Sequence, residues 1–246
     1  MDEGKLNLNN GGALPPPKHL IEVNKMTNTS TLYTGPSEYT GNPVQAFITI
    51  KSSNTKTGDI PQVTFLPKDV KPTDAIKNGQ DQDVCGNCPL RPSKFNPETH
   101  DKPCYVNCGF APNAIDRAKN KPDYDYSGLF NVLRLGAYGD SASIKKQALL
   151  KIVGLGKRVL NYTHAWRDKK FNFLKAFSMA SVHSIKEKNQ ANKLGFRTFR
   201  TLSFACQKIE DNEIICPNFT KSIQCKNCKL CCGNQIKAKN IVIPSH

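Results

Sequence analysis

The fold class follows from residues 129–202, which read LFNVLRLGAYGDSASIKKQALLKIVGLGKRVLNYTHAWRDKKFNFLKAFSMASVHSIKEKNQANKLGFRTFRTL. Short apolar runs predict strands over 129–135, 158–162, 177–182 and 196–202, separated by helices over 142–155, 169–176 and 184–194. This alternation, at about 22-residue spacing, is typical of parallel strands with right-handed crossovers. We therefore predict an α/β fold with parallel strands and crossover helices, as a full or partial barrel or as an open doubly wound sheet.

The rest of the chain divides into an arm and the remainder of one domain. Residues 1–42 lack a sustained apolar period and predict a flexible N-terminal arm. Residues 43–246 are predicted to form a single α/β domain, with further strands over 44–50 and 60–66. Residues 67–84 are polar and predict a loop, and residues 111–121 predict a short helix.

Polar side chains follow the predicted strands, at the edge where function collects in parallel α/β folds. The predicted catalytic residues are Asp140, His164 and Arg167, and the predicted substrate-binding residues are Arg134, His183, Arg197 and Arg200. Each has a structural alternative. Asp140 could cap the helix that follows it, His183 could be a hydrogen-bonded residue at a strand end, and the arginines could pair with acids.

One cysteine group lies near the C-terminal end, in CPNFTKSIQCKNCKLCCG over residues 216–233. Cys225, Cys228 and Cys231 follow a C-x2-C-x2-C pattern, and Cys216 precedes a proline. Three cysteines at this spacing with a distant fourth before proline favour a ferredoxin-type cluster loop. Structural zinc is the alternative metal. The alternative without a metal is a set of disulfide-bonded or purely structural cysteines.

The other cysteine group lies in CGNCPLRP at residues 85–92 and CYVNCG at residues 104–109, with His100 in the same loop. Four thiolates would satisfy zinc or a [4Fe–4S] cluster. The predicted metal ligands of both cysteine-rich loops are Cys85, Cys88, Cys104, Cys108, Cys216, Cys225, Cys228 and Cys231. The sequence contains no G-x-S-x-G, Walker or GxGxxG motif, so those chemistries have no support.

Composition indicates a protein without a membrane span. The 246 residues are 38% hydrophobic with a mean hydropathy of −0.51, and no run approaches the roughly 18 apolar residues of a membrane span. The first twenty residues begin with acids and lack the apolar core of a secretory signal. We therefore expect a cytoplasmic protein, where clustered cysteines act as ligands or catalysts rather than forming disulfides.

The positive charge is concentrated in the second half of the chain. Residues 1–140 contain 15 Lys and Arg and 15 Asp and Glu, whereas residues 141–246 contain 20 and 5. A net excess of 15 positive charges over 141–246 attracts phosphate backbones, so a nucleic-acid partner is predicted there. A solvated basic surface is the alternative.

Five motifs in order resemble a family of uncharacterised proteins of tailed phages and mobile elements. They are CGNCPLRPS with CYVNCGFAP, LRLGAYGD, YTHAWRD, MASVHS with GFRTFR, and CP with QCKNCKLC and IPSH, over roughly residues 50–246. The resemblance implies three cysteines in the first group, Cys85, Cys88 and Cys104, and all four predicted cysteines in the second. It also implies that Cys206 and Cys232 are incidental.

Three plus four cysteines is similar to the layout of radical S-adenosylmethionine enzymes, in which a cluster with one open iron sits in a partial α/β barrel. Those enzymes use C-x3-C-x2-C, which this sequence lacks. The resemblance implies a phage-type iron–sulfur protein acting on nucleic acid or a nucleotide, with S-adenosylmethionine as a possible cofactor. Cys108 could instead close the first site. The alternative function is a non-catalytic zinc protein that binds nucleic acid in phage replication or transcription.

Overall fold

The computed structural model describes residues 29–100, 103–118, 121–203 and 208–244. Within these ranges the strands form two five-stranded sheets. The first contains, in spatial order, β1 (Thr29–Pro36), β2 (Pro43–Thr49), β3 (Gln62–Pro67), β4 (Leu133–Arg134) and β5 (Val159–Leu160). Strands β1 to β3 are antiparallel, whereas β3, β4 and β5 run parallel.

The second sheet is parallel throughout. It contains β6 (Tyr162–Thr163), β7 (Met179–Val182), β8 (Thr198–Leu202), β9 (Glu213–Ile215) and β10 (Asn240–Pro244). The spatial order is β6-β7-β8-β10-β9, so the last strand in the chain lies between β8 and β9.

The two sheets are joined where β5 passes into β6, with only Asn161 between them. The Leu135 N–H donates to the Leu160 carbonyl, and the Met179 N–H donates to the Asn161 carbonyl. One extended segment therefore pairs with β4 through its first half and with β7 through its second half. The buried Asn161 amide donates to the Ser141 and Ser178 hydroxyls, which fixes this joint.

The helices cover the sheets and form the connections. They are α1 (Pro72–Asn78), α2 (Gln82–Cys85), α3 (Ala111–Arg117), α4 (Lys146–Val153), α5 (Ile185–Lys193), α6 (Pro217–Lys221) and α7 (Cys225–Cys228), with 3-10 helices at Ser141–Ser143, Ala165–Arg167, Lys169–Ala176 and Gly233–Gln235. Helix α5 begins as its capping box predicts, because the Ser184 hydroxyl accepts from the Glu187 N–H. None of the helices in the described ranges is long and apolar enough to cross a membrane.

The main hydrophobic core lies between the sheets and these helices. Phe47 and Phe65 of the first sheet, Leu149 and Ile152 of α4, and Leu174 are all fully buried in it. The apolar positions 149 and 152 lie three residues apart, so they share the face of α4 that packs on the strands. The opposite face of the joined sheets does not contact this core and can form a site.

The predicted parallel alternation over residues 129–202 is confirmed. Leu133 pairs in parallel with Val159, and Tyr162 pairs in parallel with Met179. A closed barrel is wrong, because the joined strands end at β1 and β9 without closure in the described part of the chain. Part of the segment predicted as a flexible arm forms β1, while residues 1–28 lie outside the described residues.

Candidate functional site

One cavity, of about 220 Å³, lies against the face of the joined sheets opposite α4. Strand residues that line it are Arg134, Leu160, Tyr162, Ser181, Phe199, Thr201, Ile241 and Ile243. Within each strand these residues are two positions apart. Side chains alternate between the two faces of a strand, so the lining comes from one face of both sheets.

Seven of the nine described cysteines line this cavity. They are Cys85, Cys88 and Cys104 of the first group and Cys216, Cys225, Cys228 and Cys231 of the second. Cys108, only 5% exposed, packs in the main core instead. Cys232 is fully buried against Ile60, Val132 and Leu160. The nine described cysteines are free thiols.

Short local structures position the first group. Cys85 is the last residue of α2, and the Cys88 N–H donates to its carbonyl in a tight turn. Gly86 follows α2 with a φ of 55°, and a side chain there would meet the Tyr39 ring at 2.6 Å. Glycine is therefore required at this position for both backbone conformation and space. The Cys104 N–H donates to the Leu90 carbonyl, which brings the third thiol back to the turn.

The second group is anchored to two parts of the fold. Cys216 directly follows β9, and its N–H donates to the Val242 carbonyl of β10. Cys225 and Cys228 lie three residues apart on α7, so they share a face of that helix. The Cys225 N–H donates to the Lys56 carbonyl in the turn between β2 and β3. Through this contact the first sheet positions the second cysteine group.

Burial makes five of these thiols poor acids in the absence of a cation. It raises the pKa of Cys88 and of Cys231 to about 12, and it raises the pKa of Cys85, Cys104 and Cys225 as well. A bound metal ion would reverse this preference, since it stabilises the thiolate and releases the proton. Across the described ranges, no group of three or more His, Cys, Asp or Glu side chains is already close enough together to hold a metal ion.

Two histidines meet beside the first cysteine group. His164 follows β6 and His183 follows β7, and their Nε2 atoms are 3.1 Å apart. The Cys88 sulfur lies 3.8 Å from His164 Nε2. His183 Nδ1 is 2.7 Å from the Thr201 hydroxyl. The predicted gathering of polar side chains at the carboxyl ends of neighbouring parallel strands is therefore present.

Asp140 fixes the backbone of this corner. Its carboxylate accepts from the His164 N–H at 2.8 Å and from the Thr163 hydroxyl at 3.0 Å. It also accepts from the Ala142 N–H, as the helix-cap alternative for Asp140 predicts. Asp140 therefore both caps the following helix and lines the cavity. Burial raises the pKa of Asp140 to about 6, although these donors oppose the shift.

Burial also keeps both imidazoles neutral. It lowers the pKa of His183 to about 4 and that of His164 well below its ordinary value of 6.5. Near neutral pH each ring carries one proton and one free lone pair, so each can accept a proton or donate one. The pair can therefore move a proton between the cavity beside Cys88 and the Thr201 hydroxyl.

The pH dependence of stability tests the burial of His183. Its pKa is lower in the folded protein than the ordinary 6.5, so the stabilisation is present above about pH 6.5 and is lost as the pH falls to about 4. We expect the unfolding free energy of the wild type relative to His183→Gln to fall by on the order of 2 kcal/mol across this range, measured by urea denaturation. The comparison with the variant is the required control. The raised pKa of Asp140 makes the unfolding free energy fall as the pH rises, and Asp140 is present in both proteins. A constant difference would show that His183 is solvated.

The predicted arginines separate into two kinds. Arg134 lines the cavity, whereas Arg167, Arg197 and Arg200 lie outside its lining. Arg167 is half exposed, stacks on Trp166 at 3.9 Å and pairs with Glu187. These contacts are those of the structural alternative for Arg167, and its catalytic role stays a prediction.

Arg197 and Arg200 hold the fold together. The Arg197 guanidinium donates to the backbone carbonyl of Leu230, inside the second cysteine group, and to those of Gly233, Ala238 and Lys239 just after it. Arg200 is buried on the face opposite the cavity and makes a two-pronged ion pair with Glu213 of β9. Both arginines therefore fix the strands that carry the second cysteine group.

Sequence reasoning missed two tyrosines of the site. Tyr162 points into the cavity from β6, and Tyr105, next to Cys104, accepts from Arg134 Nη2 at 2.8 Å. The alternation around Leu160 could have indicated Tyr162. Tyr105 lies in an irregular loop, where no period tells which way a side chain points.

Comparison with family models, with curated proteins and with solved structures found no match to this chain. The resemblance to phage proteins and to radical enzymes therefore stays a prediction. Conclusions about function start from the cavity and its thiols.

Proposed function

We propose that this protein is an iron–sulfur enzyme whose two cysteine groups hold separate metal centres at one cavity. The observation that carries the proposal is which of the cysteine thiols face the cavity. Seven cysteines from segments more than a hundred residues apart face the cavity, while Cys108 and Cys232 pack elsewhere. Soft thiolate ligands select iron–sulfur clusters or zinc among the common metals, so the donor set fits such a centre.

The first centre would be held by Cys85, Cys88 and Cys104, and the second by Cys216, Cys225, Cys228 and Cys231. Four thiolates close a [4Fe–4S] cluster, whereas three leave one iron open to a substrate or cofactor. When bound, such clusters supply one-electron transfer and an open coordination position. S-adenosylmethionine is the candidate cofactor for that position, on the strength of the resemblance in layout.

The residues of the chain itself would serve binding and proton movement. His164 and His183 lie at the side of the first cysteine group and can exchange a proton through their facing Nε2 atoms. Asp140 holds the His164 backbone in place, as a positioning residue. The apolar part of the lining, including Phe199 and Ile241, excludes water from a bound group. A nucleotide or nucleic acid is the proposed substrate class, supported by the basic half of the chain.

Anaerobic purification followed by metal analysis tests this proposal. We expect a brown protein with a broad absorption band near ~400 nm, and iron and acid-labile sulfide in equal amounts. Iron in excess of one cluster per chain would support two centres. A colourless protein that contains zinc would contradict the proposal and favour the non-catalytic zinc protein that binds nucleic acid.

A further inference from the structure

Arg134 places a buried positive charge in the wall of the cavity. It belongs to β4, is 7% exposed and lines the cavity. One of its N–H groups donates from Nη2 to the Tyr105 hydroxyl at 2.8 Å. Its Nε–H is buried and has no hydrogen-bond acceptor among the described residues. A phenol is a neutral partner, so this contact satisfies a donor without balancing the charge.

Each of the other buried arginines of the described chain has an acidic partner or several carbonyl acceptors, although the Arg91 Nε–H also has no acceptor there. Arg91 pairs with Asp81 at 3.3 Å, and Arg200 pairs with Glu213 through two hydrogen bonds. Arg197 donates to four backbone carbonyls. For Arg134, no Asp or Glu of the described residues lies within the 4.0 Å of an ion pair. Arg134 therefore differs from these buried arginines, because it has neither an acidic partner nor several carbonyl acceptors among the described residues.

The physical chemistry of arginine requires a counter-charge here. A guanidinium does not deprotonate in a protein, so burial cannot be relieved by loss of the proton. An isolated charge taken out of water costs several kcal/mol unless an opposite charge compensates it. Since no carboxylate of the described residues supplies it, the counter-charge has to come from a group that occupies the cavity.

We propose that Arg134 binds an oxyanion, the carboxylate or phosphate group of the ligand that enters this cavity. The proposal rests on the proposed function in taking the cavity as the active site, and it adds that the substrate or cofactor is anionic. Guanidinium groups suit this role because several N–H donors can bind the oxygens of one carboxylate or phosphate. Tyr105, which is 64% exposed, connects the guanidinium to the protein surface.

Thermal shift measurements with inorganic phosphate and with acetate test the proposal on the protein as purified. Sodium chloride at matched ionic strength controls for screening, and the comparison with Arg134→Gln removes the general stabilising effect of phosphate and acetate on a folded protein. We expect phosphate or acetate to raise the Tm of the wild type above that in chloride, from which an apparent Kd follows. In Arg134→Gln this Kd should rise at least about tenfold. The anion with the larger effect distinguishes a phosphate ligand from a carboxylate ligand.

Arg117→Gln is the matched control. It is the same substitution at an exposed arginine of α3 that lies outside the cavity lining. It should therefore lose one positive charge without losing the effect of the anion. If Arg134→Gln does not fold, Arg134→Lys keeps the charge and loses the planar fork, and it should show a smaller but measurable weakening.

Two results would overturn the proposal. In the first, Arg134→Gln keeps the full phosphate and acetate effects. In the second, phosphate and acetate have no effect on the wild type beyond that of chloride and Arg134→Gln loses metal, which would make Arg134 the counter-charge of the thiolates around Cys225. Failure of the proposed function is separate, because a wild-type protein without iron can still show an anion effect that depends on Arg134.

Discussion

Replacing Cys88 by serine is expected to remove most of the metal of the first cysteine group, whereas replacing Cys108 by serine is expected to leave it in place. Cys88 lines the cavity beside His164, and Cys108 lies in the apolar core. Loss of one thiolate from a three-ligand centre leaves too few ligands to retain the metal, and metal binding is coupled to folding. Iron, sulfide and zinc per chain, measured after anaerobic purification, give the comparison.

A second pair of variants provides the control within the other group. Cys228→Ala should lower metal content and soluble yield, and Cys232→Ser should retain the metal, because Cys232 packs away from the cavity. Metal loss in Cys108→Ser equal to that in Cys88→Ser would show a closed four-thiolate first site. That outcome would remove the open centre from the proposed function.

Replacing Arg200 by methionine is expected to destabilise the protein by about 3–5 kcal/mol, because it leaves the Glu213 carboxylate buried without its counter-charge. Both side chains are almost completely buried, and two hydrogen bonds of 2.8 and 2.7 Å join them. Denaturation by guanidinium chloride measures the loss. The energy belongs to an uncompensated charge, so the Arg200→Met and Glu213→Leu double variant should be more stable than Arg200→Met alone.

Arg167→Gln is the surface counterpart of this experiment. Arg167 pairs with Glu187 where half of its side chain is exposed, and exposed pairs contribute less than about 1 kcal/mol. If Arg200→Met were no more destabilising than Arg167→Gln, the pair with Glu213 would have to be hydrated in the folded protein. Burial of the Arg134 guanidinium would then no longer require a counter-charge from the cavity.

The sequence predicts well those features that depend on a local period. The strands around Leu133, Leu160 and Val182 have short apolar runs between amphipathic helices, and they are parallel as predicted. His164 and His183 directly follow strands, and Asp140 ends the turn after β4, so their meeting at one edge could be predicted without knowing the twist of the sheet. The Ser184 cap followed from residue type and spacing alone.

Features that depend on which face is covered could not be predicted. Arg134 and Arg200 are both arginines in parallel strands, yet one faces the cavity and the other faces Glu213. Because both faces of the sheet are covered, the sequence has no polar and apolar alternation to distinguish them. Strand β9 has only three residues, too few to show the alternation that would predict a strand. Without β9 and β10, nothing could indicate that the two cysteine groups share one cavity.

The position of β10 between β8 and β9 sets an order of events during synthesis. A nascent chain that has reached Cys231 contains β8 and β9 but lacks the strand that lies between them. Until Asn240–Pro244 leaves the ribosome and docks, Cys216 has no partner strand to hold it beside the other thiols. Domains fold as units while they emerge, at about 5–20 residues per second. The second cysteine group therefore passes through an interval on the order of a second as unshielded thiols. If the proposed function holds, oxidants compete with metal delivery during that interval.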